Sequence, residues 1–133
     1  MVLNCCARIA VVVCAISLAH SLGYGAATKS RIYSNVEYNE EGGDLLGYEL
    51  ELHLDGPRAT GVFRIYEGGC GSPAPVVGTL TRGELNLRGE DKFYGKVEIN
   101  GRMSNELVKA TLRMEKALKP ETIKLSLIPR PHC

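Results

Sequence analysis

From Leu46 to Leu54 apolar and polar residues alternate without a break. Leu46, Tyr48, Leu50, Leu52 and Leu54 point one way, and Gly47, Glu49, Glu51 and His53 point the other. A period of two describes a strand with one buried and one wet face, whereas helical apolar positions recur every three to four residues. Asp55-Gly56-Pro57-Arg58 follows, a turn cluster in which Gly accepts positive φ and Pro pre-sets the backbone. The alternation resumes at Ala59–Glu67, with Gly61, Phe63 and Ile65 against Thr60, Val62, Arg64 and Tyr66. These two segments predict a hairpin.

The same reading continues downstream. Gly68 to Pro75 is a Gly/Pro loop. Val76 to about Arg82 reads as a third strand, with Gly83 as a bend or bulge before Glu84–Arg88. Gly89-Glu90-Asp91-Lys92 reads as a turn, after which Phe93, Gly95, Val97 and Ile99 share a face. Asn100-Gly101 is a tight-turn dipeptide, with Arg102–Glu106 available to lengthen the reversal. Leu107–Glu115 is ambiguous. Its residues are good helix formers, with Ser104 or Asn105 as a cap, yet Val108, Ala110, Leu112 and Met114 alternate with charged residues and Thr111, which favours a strand. Ile123, Leu125 and Leu127 form a last strand, ended by Pro129 and Pro131. Upstream, Arg31–Tyr38 reads as a first strand and Asn39–Asp44 as its polar turn.

Seven or so short strands joined by brief turns predict an all-β domain, a single small antiparallel meander. Its apolar faces must be covered, by curling the sheet into a barrel or by packing two sheets face to face. Interior glycines permit strong coiling, which favours the curled sheet or barrel. The broad organisation resembles small calycin-like barrels, an analogy of architecture alone.

The first 27 residues break the pattern. Arg8 precedes the apolar run Ile9–Leu18, and small residues follow as far as Gly25-Ala26-Ala27. This is the three-part arrangement of a cleavable signal peptide, and its core falls short of the ~20 apolar residues of a membrane span. Two cleavage points compete, after Ser21 and after Ala27; the later one leaves residues 28–133 as the β-domain. The protein is therefore expected to be secreted or periplasmic, with no stable membrane span after processing.

Arg8 is the only charge in the leader, so the remainder carries 15 Lys+Arg and 15 Asp+Glu. The signs are interspersed, which argues against nucleic acid as a partner. After processing two cysteines remain, Cys70 and Cys133. In an oxidising compartment an even pair is most simply a disulfide, although a bridge between chains or two free thiols stay open. Glu51, His53 and Asp55 share one strand face and sketch a polar site, for which an ordinary solvated face is the plainer account. A zinc site wants three or four ligands, and no His/Cys cluster supplies them. No metal or cofactor is expected, and no nucleophile elbow or catalytic set is assembled. Tyr66 and Tyr94, out of phase with Phe63 and Phe93, are candidates for an exposed contact patch.

These observations point to an exported, non-enzymatic, monomeric β-domain that binds a protein partner or a small apolar ligand. The alternatives are a small hydrolase or metal-dependent enzyme built on His53 and an envelope or surface protein linked through Cys133.

Overall fold

A computed structural model describes residues 29–133, and the expected signal peptide with both cleavage points lies outside them. Among the described residues the fold is all-β, and Leu107–Met114 is a strand. The strands are β1 (Arg31–Ser34), β2 (Glu37–Asn39), β3 (Asp44–Asp55), β4 (Arg58–Gly68), β5 (Pro73–Thr81), β6 (Glu84–Asp91), β7 (Gly95–Met103), β8 (Leu107–Met114) and β9 (Glu121–Ile128). From β3 to β9 each strand pairs antiparallel with the next, and β1 pairs with both β9 and β3. That double pairing closes a ring of eight strands, with β2 as a short flap on β3.

The alternation is apolar-in and polar-out, the reverse of a lipid-spanning barrel. Tyr33, Leu50, Leu52, Phe63, Leu85, Leu87, Val97, Ile99, Val108, Leu112, Ile123 and Leu125 fill the interior and are all but inaccessible to solvent. An eight-stranded ring is just wide enough for side chains to fill it. Tyr33 seals one end, its hydroxyl donating to the carbonyls of Ser104 and Asn105 at 3.1 and 3.3 Å. Tyr48 stacks on Phe63 towards the other end, with ring centroids 5.8 Å apart. Among the described residues no helix is long and apolar enough to cross a membrane.

Several boundaries differ from the sequence expectation. Asn100-Gly101 lies inside β7, where Gly101 pairs with Ala110, and the chain reverses at Ser104–Glu106 instead. There the Ser104 hydroxyl accepts from the amides of Glu106 and Leu107, supplying the turn that the dipeptide only suggested. Gly83 marks a full reversal: Arg82 and Gly83 take φ of 53° and 78°, the two positive values of a primed hairpin turn. β6 runs on to Asp91, whose carboxylate caps the turn by accepting from the amides of Phe93 and Tyr94. Phe93 therefore sits exposed at a hairpin tip instead of facing the core. The first strand is broken at Asn35 and Val36, where the Asn35 carboxamide accepts from the Tyr48 amide at 2.7 Å in place of a ladder bond. Pro73 and Pro75 fall within β5, on a stretch that pairs with β4 alone. Each proline there lacks a donor only where no ladder needs one.

Candidate functional site

The outward residues of β3 are Glu49, Glu51, His53 and Asp55, and those facing them on β4 are Arg64, Val62, Thr60 and Arg58. By strand phase all of these belong to solvent. Glu49 does not; it is completely buried. What covers it is the chain end. After β9 the backbone leaves the sheet at two prolines, and Cys133 is joined to Cys70 in the β4–β5 connection, with Cα atoms 6.0 Å apart. The tail carries His132 onto the outer wall.

A carboxylate removed from water must recover the hydrogen bonds it gives up. Glu49 does so on both oxygens. Oε1 accepts from Arg64 Nη1 at 3.3 Å and from the Tyr66 hydroxyl at 3.2 Å. Oε2 accepts from the His132 backbone amide at 3.0 Å and from its Nδ1 at 2.8 Å. The His132 ring also stands edge-on to Tyr66, with centroids 6.1 Å apart. Among the described residues no buried side-chain polar atom is left without a partner.

A serine lies beside this histidine, so nucleophilic chemistry must be tested against geometry. Ser34 Oγ is 3.4 Å from His132 Nδ1, the same nitrogen that meets Glu49. A serine–histidine–acid relay needs the hydroxyl on one ring nitrogen and the carboxylate on the other. Ser34 Oγ also accepts from the Val36 amide at 3.0 Å. With both groups on Nδ1, the cluster lacks the arrangement of such a relay and fastens the His132 segment to the wall.

Glu51 Oε1 lies 3.8 Å from His53 Nε2, and Glu51 Oε2 lies 3.6 Å from Arg64 Nη1. Asp55 stands opposite Arg58 at the hairpin end. A recess of about 180 Å³ there is lined by His53, Leu54, Asp55, Arg58 and Thr60, without Glu51. Among the described residues no group of three or more His, Cys, Asp or Glu side chains is placed to hold a metal ion. Tyr66 and Tyr94 do not form one exposed patch. Tyr66 is buried under the tail, and Tyr94 is half-buried, its hydroxyl donating to Glu67.

The Glu49 cluster escaped sequence reasoning because phase alone puts Glu49 in water. The signal was present in pieces. A Cys70–Cys133 bridge drags the preceding residue, His132, across the outer face of the strand that leads to Cys70.

Electrostatics follow burial. Loss of solvent, then the neighbouring Glu49 carboxylate, pushes the Tyr66 phenol up to about 12. Burial and the Glu121 carboxylate raise Tyr48, and the hydrogen bond to Glu67 raises Tyr94. For Tyr66 the folded state favours the protonated phenol. Its contribution to stability is whole below the unfolded value of about 10 and disappears as pH climbs through about 12. Tyrosinate absorbance should therefore lag behind that of free tyrosine, and Tyr66→Phe should remove one late-titrating phenol. An ordinary titration curve for Tyr66 would contradict its burial.

At the end of the barrel that carries the β2–β3, β6–β7 and β8–β9 connections, apolar side chains stand out. Tyr38 (62 % exposed), Leu46 (45 %), Phe93 (63 %) and Leu118 (105 %) are four of the six exposed large hydrophobics among the described residues. Lys92, whose ammonium sits 5.4 Å from the Phe93 ring centroid, joins Lys116 and Lys119 on one side, while Glu40 and Glu41 lie on the β2–β3 turn. No protein-family model, curated protein or solved structure matches this chain.

Proposed function

We propose that this is an exported β-barrel that acts without catalysis, by binding a protein partner at the end formed by Tyr38, Leu46, Phe93 and Leu118. The observation that carries the reading is the concentration of exposed apolar area at that one end, because such patches on soluble domains mark contact surfaces. The cluster of buried side chains inside the ring supports it, since a surface contact needs no internal cavity. A hollow of about 1020 Å³ near Leu54, Leu127 and Pro129 lies at the opposite end and is flanked by Lys29 and Arg31. Charge favours protein over an anionic surface. Both signs occur at the contact end, with Lys92, Lys116 and Lys119 accompanied by Glu115 and Glu121 and with Glu40 and Glu41 on the β2–β3 turn, so a uniformly negative sheet would meet acids as well as lysines. A secreted or periplasmic setting fits the leader and the Cys70–Cys133 bridge.

A photo-reactive residue at Tyr38 in the exported, oxidised chain should give one discrete protein adduct in its native compartment. Phe93→Asp combined with Leu118→Asp should abolish that adduct while changing stability by less than about 0.5 kcal/mol, as solvent-facing substitutions do. An adduct indifferent to the double substitution moves the surface elsewhere. A folded, exported chain that gives none defeats the proposal.

A further inference from the structure

Glu49 lies on the outward phase of a closed barrel, so only something outside the barrel can take it from water, and what does so is the chain's own tail. The walls of the recess belong to the sheet: Ser34 on β1, Glu49 and Glu51 on β3, Arg64 and Tyr66 on β4. The tail belongs to no strand, since β9 ends at Ile128. Its grip on the wall comes from two hydrogen bonds from His132 to Glu49 Oε2, the 3.4 Å approach of its Nδ1 to Ser34 Oγ, the edge contact with Tyr66 and the bridge to Cys70. Cys70 and Cys133 are both exposed and both lie outside the strands, so parting them opens no strand pairing. Lifting the tail leaves two carboxylates, Glu49 and Glu51, against one guanidinium, Arg64, which meets both.

We propose that the Cys70–Cys133 disulfide is a latch, opened by a dithiol reductant, that uncovers an acid-lined recess on the outer wall of β3 and β4, and that this recess takes a cationic or imidazole side chain presented beside a backbone amide of an extended peptide. The reductant is a protein or small-molecule dithiol. One of its thiolates attacks a bridge sulfur and forms a mixed disulfide, and its second thiol then displaces the protein sulfur. The dithiol leaves as a disulfide, two electrons and two protons pass to the chain, and Cys70 and Cys133 become thiols. His132 is the ligand held in place while the latch is shut. The latch does not rest on the contact end proposed above, and the two fail separately.

The test uses the full processed chain, oxidised or reduced with dithiothreitol, at a temperature well below its unfolding midpoint. Reduction should accelerate exchange of the His132 amide at least tenfold, bring the Tyr66 phenol from about 12 towards its ordinary value, and leave the strand signal in far-UV circular dichroism unchanged. Cys70→Ser should behave like the reduced chain. In either open form N-acetyl-histidine methylamide, at tens of millimolar to exceed the effective concentration of a short tether, should accelerate His132 exchange further by displacing it. A His132 amide as protected after reduction as before overturns the latch. So does loss of the strand signal, which would make the bridge part of the barrel itself. Failure of the probe to accelerate exchange in an open, folded chain overturns the recess.

Discussion

Replacing Cys70 and Cys133 together by serine is expected to cost about 4 kcal/mol of stability, and the thermal midpoint to fall by roughly 20 °C. The bridge joins residues 63 apart in sequence, so breaking it returns a long loop's worth of freedom to the unfolded chain. The folded barrel loses only the tail's attachment, because every strand pairing survives. Thermal or denaturant unfolding of the double variant beside the oxidised parent measures the difference. A loss below about 1 kcal/mol would mean that the unfolded chain gains little freedom from the break. Because a domain of this size has about 5–15 kcal/mol in all, the variant still folds at room temperature but with a reduced margin.

Gly78→Ala is expected to be as damaging, through the folded state instead. Gly78 lies on the inward phase of β5, and a Cβ there would stand 1.8 Å from the Asn86 carbonyl oxygen of β6. Backbone atoms cannot rotate away as a side chain would, so the two strands must part. About 3 kcal/mol or more is the scale for such overpacking where the backbone has to move. Gly61 meets the Glu51 carbonyl at 1.9 Å in the same way, across the β3–β4 pair. Both glycines stand where a small ring of strands must coil sharply, a known use of glycine in tightly bent sheets. Gly69→Ala is the control, with nothing within 4 Å of the added methyl and a change of less than about 0.5 kcal/mol expected. Denaturant midpoints of the three chains decide it. Equal stability of Gly78→Ala and Gly69→Ala would refute the close approach.

The strands were legible where one face was dry and the other wet. In β3, β4 and β8 the alternation names the core residues, and in β8 it correctly outweighs good helix formers, because strand neighbours on both sides offer a sheet to join. Legibility failed at reversals. Asn100-Gly101 has the composition of a turn, but Gly101 is spent on close packing against β8: a Cβ there would lie 2.4 Å from the Ala110 Cα. Gly83 reads as a bend or bulge before Leu85 and Leu87; those leucines are an odd number of positions from Val76 and Leu80, and the two-residue turn sets Leu80 opposite Leu85 so that both face inward. Among the site residues, Cys70 and Cys133 were the simplest pair to bridge, and the structure decided it over a bridge between chains or two free thiols by bringing the two together. Glu51 and His53 lie side by side on the wet face, whereas Glu49, which the same phase assigned to water, is buried.

Sequence by itself determined the strand period, the single apolar face and the absence of a charge run, since each depends on neighbours along the chain or on composition. Tertiary structure decided closure of the ring, burial of Glu49 beneath His132 and the gathering of Tyr38, Leu46, Phe93 and Leu118 at one end. Each of those rests on residues far apart in sequence, brought together only when β1 meets both β3 and β9 and the tail is drawn across the wall.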